Sequence, residues 1–205
     1  MDAPNDNLAL LIILAGPTGT GKSTICEAMT SKYPKIQRVI TSTTRPPRDG
    51  EVHGRDYFFF TEEEFEEKLA ANEFYESARV HAYRYGSLKS EIQGKLAQNI
   101  DLIMNVDVQG VDAFQKASLK DPILKQRLVT IFIMPPSLQE IEQRLIERGK
   151  ESPENIARRL ETAREEIPLW KNYDFCFVSG SREEDFGIVE CIWKSEKRRV
   201  ARYLA

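Results

Sequence analysis

The residues Gly16-Pro17-Thr18-Gly19-Thr20-Gly21-Lys22-Ser23 follow the pattern G-x-x-x-x-G-K-[ST], between an apolar run ending at Ala15 and a helical stretch opening at Lys22. Glycines so placed let the backbone curl until several N–H groups point at one phosphate chain, and a helix N-terminus adds partial positive charge. Lys22 can then reach β- and γ-phosphates, and the Ser23 hydroxyl can serve Mg²⁺. A glycine-rich turn without a ligand is the bland alternative; the complete pattern in its strand–turn–helix setting argues against it. The expected nucleotide-binding set is Gly16, Pro17, Thr18, Gly19, Thr20, Gly21, Lys22, Ser23 and Thr24.

Three further groups of residues could do chemistry. Arg45 and Arg48 stand three apart on a turn stiffened by Pro46-Pro47, a rigid clamp suited to a phosphate monoester. A solvated loop whose charges pair with Glu51 and Asp56 stays open as the alternative. Arg144 and Arg148 stand four apart and share a helix face. Arg158 and Arg159 diverge by about 100°, so at most one of them joins that face. A surface helix paired with Glu140, Glu147 and Glu161 is the competing reading. Glu76, taken alone, is an ordinary surface carboxylate. Other features read as bland. The acidic run Glu62–Glu67 is favoured by a helix N-terminus without needing partners. Trp170, Trp193 and Phe58–Phe60 read as packing, and the basic stretch Lys194–Arg202 as the solvated face of a last helix.

Positioning these groups takes a folded scaffold. The chain has 205 residues, 41% hydrophobic and 30% charged, enough for one domain carrying insertions. Lys and Arg number 29 against 32 Asp and Glu, a net charge of −3. That balance argues against bulk-charge binding of nucleic acid, so phosphate must be recognised by a few placed cations. Cys26, Cys176 and Cys191 with only His53 and His81 exclude a disulfide scaffold, a cysteine zinc site and a multi-histidine metal centre. No run approaches the roughly 18–20 apolar residues of a membrane span, and the residues before Leu8 lack the basic start of a signal peptide. A cytoplasmic protein with no membrane and no nucleic-acid partner is expected.

Short apolar runs alternate with amphipathic ones, the rhythm of a parallel sheet with helices on both faces. Core strands are expected at Leu8–Ala15, Arg38–Ser42, Leu102–Val106, Leu128–Met134 and Phe175–Val178. Helices are expected near Lys22–Lys32, Leu88–Gln98, Ser137–Arg148, Pro153–Trp170 and Glu183–Tyr203. Two stretches break the rhythm. Residues 43–87 hold the arginine turn, a short strand at Asp56–Phe60, a Thr61/Glu64 capping box and β-like runs at Phe74–Arg79 and Tyr83–Ser87, a small mixed lobe. Residues 135–163 form a charged helical insertion, restarting at Ser152-Pro153, that should bury little.

Together the P-loop, the run Thr43-Thr44-Arg45-x-x-Arg48-x-Gly50-Glu51-x-x-Gly54-x-Asp56-Tyr57, Glu76, Tyr85-Gly86-Ser87, Asp107-Val108-Gln109-Gly110 and Arg144-Leu145-x-x-Arg148-Gly149 resemble the guanylate kinase family over nearly the whole chain. The resemblance implies a three-layer α/β P-loop NTPase fold with a five-stranded parallel core sheet, an inserted mixed α+β GMP-binding lobe and a helical lid. One domain is expected over 1–205, with core 1–40, 88–134 and 164–205, lobe 41–87 and lid 135–163. It also implies transfer of the γ-phosphoryl of ATP to GMP, with Mg²⁺ accompanying ATP and Ser23 its protein ligand. Arg45, Arg48, Tyr57 and Tyr85 would hold the GMP phosphate, braced by Glu51; Thr41, Glu76, Ser87 and Asp107 would surround guanine. Lys22, Arg45, Arg144, Arg148 and Arg159 would carry the transfer, the family pattern I-x-x-R-L selecting Arg159. Three positions depart from that pattern: Thr41 for serine, Asn105 for an acid and Ser179 for an asparagine near the adenine. A non-catalytic interaction module of the same fold and a kinase for another monophosphate are the alternatives. The substrates implied are ATP and GMP, with dGMP left open, and the chain is expected to be a monomer or a weak homo-oligomer.

Overall fold

The strand before the P-loop, β1 (Leu11–Ala15), is buried along its whole length. Its side chains alternate between two apolar clusters. Leu11 and Ile13 meet Met104, Val111 and Phe114, while Ile12 and Leu14, with Leu10 just before the strand, meet Ile25, Cys26, Met29 and Val189. Burying each such side chain contributes about 1.5–3 kcal/mol, and two covered faces explain the unbroken apolar run. The computed structural model describes residues 8–80, 82–149 and 152–203, leaving the Arg148 side chain outside the described set.

The core sheet runs in the order β2 (Ile36–Arg38), β7 (Asp101–Asn105), β1, β8 (Leu128–Met134) and β9 (Phe175–Val178), and every pair is parallel. Helices α1 (Lys22–Lys32) and α8 (Arg182–Glu196) cover one face. Helices α3 (Lys89–Ala97), α4 (Val108–Ser118) and α5 (Pro122–Arg127) cover the other. The chain fills the sheet on one side of β1 and then on the other. The order therefore reverses at β1, where ligands of open parallel sheets bind.

A second sheet, in the order β4 (Phe58–Phe59), β3 (Ser42–Thr43), β6 (Tyr83–Leu88), β5 (Phe74–Val80), interrupts the core between β2 and α3. Helix α2 (Glu62–Ala70) packs on it through Phe65, which joins Phe74 and Leu88. The Thr61/Glu64 capping box is present in both directions, at 3.1 and 2.8 Å. Gly86 sits beneath this cluster. A Cβ there would come 2.9 Å from Phe74 Cδ1 and 3.1 Å from the Glu76 carbonyl, so the close packing requires glycine. Two further helices, α6 (Leu138–Arg148) and α7 (Pro153–Glu166), start at the N-caps Ser137 and Ser152.

Several expectations need correction. The strand expected at 38–42 is two strands in different sheets, 36–38 and 42–43. Helices α4 and α5 add to the expected ones. The charged insertion buries a cluster of its own, Ile141, Leu145, Ile156 and Ala163. The last helix stops at Glu196, and in the basic stretch Lys194, Arg198 and Arg199 are exposed while Lys197 and Arg202 turn inward. Lys197 Nζ bonds buried Asp101 at 3.0 and 3.1 Å and the Leu8 carbonyl at 2.7 Å, while Arg202 Nε reaches buried Glu196 at 3.0 Å. The acidic run at α2 does have partners: Glu62 accepts from Thr44 and Arg84, and Glu66 from Arg84. Trp193 packs against Tyr33, but Trp170 remains 41% exposed.

Candidate active site

The P-loop joins β1 to α1 through three glycines with positive φ: Gly16 (127°), Gly19 (90°) and Gly21 (84°). At Gly16 the requirement is steric as well, since a Cβ would lie 2.3 Å from the Ile133 carbonyl oxygen. Helix α1 begins at Gly21 without a side-chain cap, as α3 does at Leu88, whereas α2, α4, α5, α6, α7 and α8 each begin with one. The first N–H groups of α1 are thus left for an anion. Lys22 Nζ folds over the loop and donates to the carbonyls of Gly16 (2.6 Å) and Pro17 (2.8 Å). Thr20, itself buried, donates to the Pro17 carbonyl at 2.8 Å and fixes the curl.

Two arginines of the helical insertion reach the same loop. Arg159 Nη1 donates to Thr18 Oγ1 at 3.0 Å, and Arg144 Nη1 donates to the Gly19 carbonyl at 3.3 Å. Arg158 instead turns to Asn155 on its own helix, so the adjacent pair resolves in favour of Arg159. Arg144 also keeps the expected bond to Glu140 at 3.0 Å. Arg148 ends α6, and its side chain lies outside the described residues. A cavity of about 740 Å³ opens beside the loop, lined by Gly19, Gly21, Thr24, Arg144, Ser179 and Phe186 among others. That is the size of a small-molecule site.

The second sheet gathers the other predicted residues. Arg45 Nη2 donates to Glu51 Oε1 at 2.8 Å, and the Arg48 backbone N–H donates to Glu51 Oε2 at 2.7 Å. Glu51 therefore ties both arginines to one turn, and the Arg45 side chain holds its carboxyl below the usual range. Arg45 lies over the Tyr57 ring at 5.5 Å, and Tyr57 meets Tyr85 edge-on at 6.3 Å. Arg48 is exposed at the turn. Thr41 accepts at its carbonyl from Phe58 N.

Glu76 on β5 accepts from Ser87 Oγ on β6 at 2.6 Å. Burial pushes its carboxyl from 4.5 up to about 7; the Ser87 bond opposes this and nearby Asp107 adds to it. Asp107 caps α4, its Oδ1 accepting from Gly110 N at 2.7 Å, so one oxygen is already committed. A cap at this position was a helix signal that a reading of Asp107 as a base ligand hid.

Comparison with known proteins now bears on this geometry. The guanylate kinase family model matches residues 9–196. The chain belongs to the guanylate kinase family. A guanylate kinase of Clostridium perfringens strain 13 is 38% identical over 197 residues, 96% of this chain and 88% of that protein. One of Novosphingobium aromaticivorans is 39% identical over 193 residues, 94% and 85% respectively. The crystal structure of guanylate kinase from Anaplasma phagocytophilum superposes with a TM-score of 0.69 at 26% identity, covering 96% of this chain and 90% of that one.

Within this guanylate kinase fold, the three departures have distinct settings. Thr41 keeps its hydroxyl. Asn105, at the end of β7, accepts from Arg38 Nη2 at 3.4 Å. Ser179 is buried and donates to Asp185 Oδ2 at 2.8 Å, so its hydroxyl is bound inward while Arg144 approaches it at 3.4 Å. Among the described residues, no group of three or more His, Cys, Asp or Glu could hold a metal, and no helix is long and apolar enough to cross a membrane. One residue near the site escaped the sequence reading. Glu166, at the end of α7, has its carboxyl raised by burial, opposed by Lys22 and reinforced by Asp107. It stands in a Glu165-Glu166 pair that reads as solvated.

Proposed function

We propose that the chain transfers the γ-phosphoryl group of ATP to GMP, giving ADP and GDP, through the residues described above. The observation that carries this reading is the convergence of Lys22, Arg144 and Arg159 on one glycine loop, with the Arg45 cluster and Glu76–Ser87 gathered on the second sheet. Lys22 and the α1 N-terminus hold the ATP phosphates. Arg144, Arg148 and Arg159 neutralise charge on the migrating group. Arg45, Arg48, Tyr57 and Tyr85 hold the GMP phosphate, with Glu51 bracing the arginines. Glu76 accepts from guanine N1–H and N2–H₂; Thr41, Ser87 and the remaining oxygen of Asp107 complete the base site. The acceptor is a phosphate oxygen already ionised, so no general base is needed and catalysis lies in alignment and charge. Closing the site excludes water, which would otherwise take the phosphoryl group.

The Ser23 hydroxyl and the neutral Asn105 amide make a hard-oxygen set too sparse for a resident ion. It fits Mg²⁺ that arrives on ATP and keeps phosphate and water ligands. When bound, that ion neutralises phosphate charge.

Steady-state assays of ATP with GMP, dGMP, AMP, UMP and CMP test the reading. GMP should exceed AMP, UMP and CMP by about 10⁴-fold in kcat/KM, because the wrong base leaves Glu76, Thr41 and Ser87 unpaired. Comparable rates across the bases would refute it.

A further inference from the structure

Strand β5 opens by sending three consecutive side chains to three different places. Phe74 stacks on Phe65 in the second sheet's own cluster, with ring centroids 4.5 Å apart. Tyr75 enters the main core instead, its ring 5.4 Å from Phe114 of α4. Glu76 turns to Ser87. A bulge makes this possible. The ladder with β6 passes from Phe74↔Leu88 directly to Glu76↔Ser87, leaving Tyr75 without a partner, and such an extra residue re-aims the side chains beside it.

The Tyr75 hydroxyl is locked at its far end. It donates to Asp121 Oδ2 at 2.5 Å and accepts from Gln93 Nε2 at 2.9 Å, and Gln93 also donates to Asp121 Oδ2 at 3.1 Å. The other oxygen of Asp121 caps α5 through Ile123 N (3.0 Å) and Leu124 N (3.1 Å). One side chain of the second sheet thus bonds α3 and α5 and packs on α4, the helix capped by Asp107. A phenylalanine would fill the same core volume, so packing alone does not account for the hydroxyl. A fully partnered buried network of this kind fixes one arrangement of its members.

We propose that Tyr75 is a positioning residue for base recognition: its hydroxyl, held by Asp121 and Gln93, docks the bulge of β5 on the core and thereby sets Glu76 against Asp107. The inference deepens the reading of Glu76 as the guanine-reading carboxylate and rests on it.

The test is steady-state kinetics at saturating ATP with GMP and with AMP, alongside thermal unfolding, for the wild type, Tyr75→Phe, Gln93→Met and Glu76→Gln. Tyr75→Phe keeps the ring and removes only the hydroxyl. KM for GMP should rise about tenfold, the scale of one lost hydrogen bond, with kcat held within about twofold. The AMP parameters should stay put, so the GMP/AMP preference falls by the same factor. Gln93→Met leaves Tyr75 and Asp121 in place and should show a smaller shift in the same direction; it decides the question if Tyr75→Phe does not fold. Glu76→Gln separates the two levels. If it leaves KM for GMP and the base preference unchanged, the underlying reading of Glu76 fails. If it shifts both while Tyr75→Phe and Gln93→Met lower only the melting temperature, Tyr75 is structural and this inference is overturned.

Discussion

The protonation of Glu76 should be visible in how the enzyme uses GMP. Its carboxyl is raised from 4.5 to about 7 by burial, with Asp107 adding and Ser87 opposing. A carboxylate that accepts from guanine N1–H and N2–H₂ must be ionised. An acid with a midpoint of about 7 is half ionised there and roughly one-tenth ionised one unit lower. From this group, kcat/KM for GMP should fall about fivefold between pH about 7 and about 6, and tenfold for each further unit. The limb of kcat should lie at lower pH, because the guanine donors favour the ionised form once bound. The phosphate of GMP titrates near about 6 and contributes its own limb, so the comparison with Glu76→Gln is decisive. That variant should retain only the phosphate limb, at a kcat/KM for GMP lower by about two orders of magnitude.

Stability follows the same proton with a definite sign. Folded Glu76 holds a proton that the unfolded chain releases near 4.5. The stability tied to this group is fully present below that value and is lost as the pH rises through about 7. The shift corresponds to about 3 kcal/mol, so Glu76→Gln should gain on the wild type in thermal unfolding between pH about 5 and about 8. Wild-type and variant pH profiles that superimpose after scaling, for kcat/KM and for stability alike, would refute the reasoning.

Three further substitutions probe other parts of the site. Lys22→Ala removes the lysine of the glycine loop and should cut kcat by about two orders of magnitude or more while circular dichroism stays unchanged; near-normal turnover would take the transfer away from the loop. Arg159→Ala loses the reach to Thr18 and should lower kcat by about tenfold to a hundredfold with KM for GMP within about threefold, which rapid-quench turnover can check. Gly86→Ala inserts a methyl against Phe74 and the Glu76 carbonyl; overpacking of this kind costs about 1–3 kcal/mol, and both the melting temperature and the affinity for GMP should fall.

What the sequence revealed depended on how local each signal was. The P-loop is contiguous, and its strand–turn–helix setting made both its place and its chemistry readable. The capping signals at Thr61, Ser152 and Pro153 were likewise local and accurate. The run Arg38–Ser42 misled because apolar and β-branched character continues while the chain leaves one sheet and joins another, and periodicity carries no record of a change in partner strand. Lys197 and Arg202 misled for the opposite reason. Their spacing suits a solvated helix face, but the Asp101 partner of Lys197 lies 96 residues away. Tyr75 gave no signal at all: the role proposed for it depends on a bulge and on Gln93 and Asp121, both remote in sequence.

The resting contacts of the cations hold them against the glycine loop. Lys22 donates to two carbonyls of the loop, Arg144 to a third, and Arg159 to a threonine hydroxyl. These four loop acceptors are neutral, while Arg144 also pairs with the Glu140 carboxylate at 3.0 Å. Hydrogen bonds from cations to phosphate oxygens are shorter and roughly twice as strong as those between neutral groups, so on the proposed reading a triphosphate would take over donors that already rest on the loop. At these loop contacts the exchange would trade neutral acceptors for anionic ones. The glycines at 16, 19 and 21 keep the loop open for that exchange, and the uncapped start of α1 contributes N–H groups that no side chain competes for. On the proposed roles of Lys22, Arg144 and Arg159, charge stabilisation would be in place before the nucleotide binds, the condition under which such groups act on a transition state most strongly.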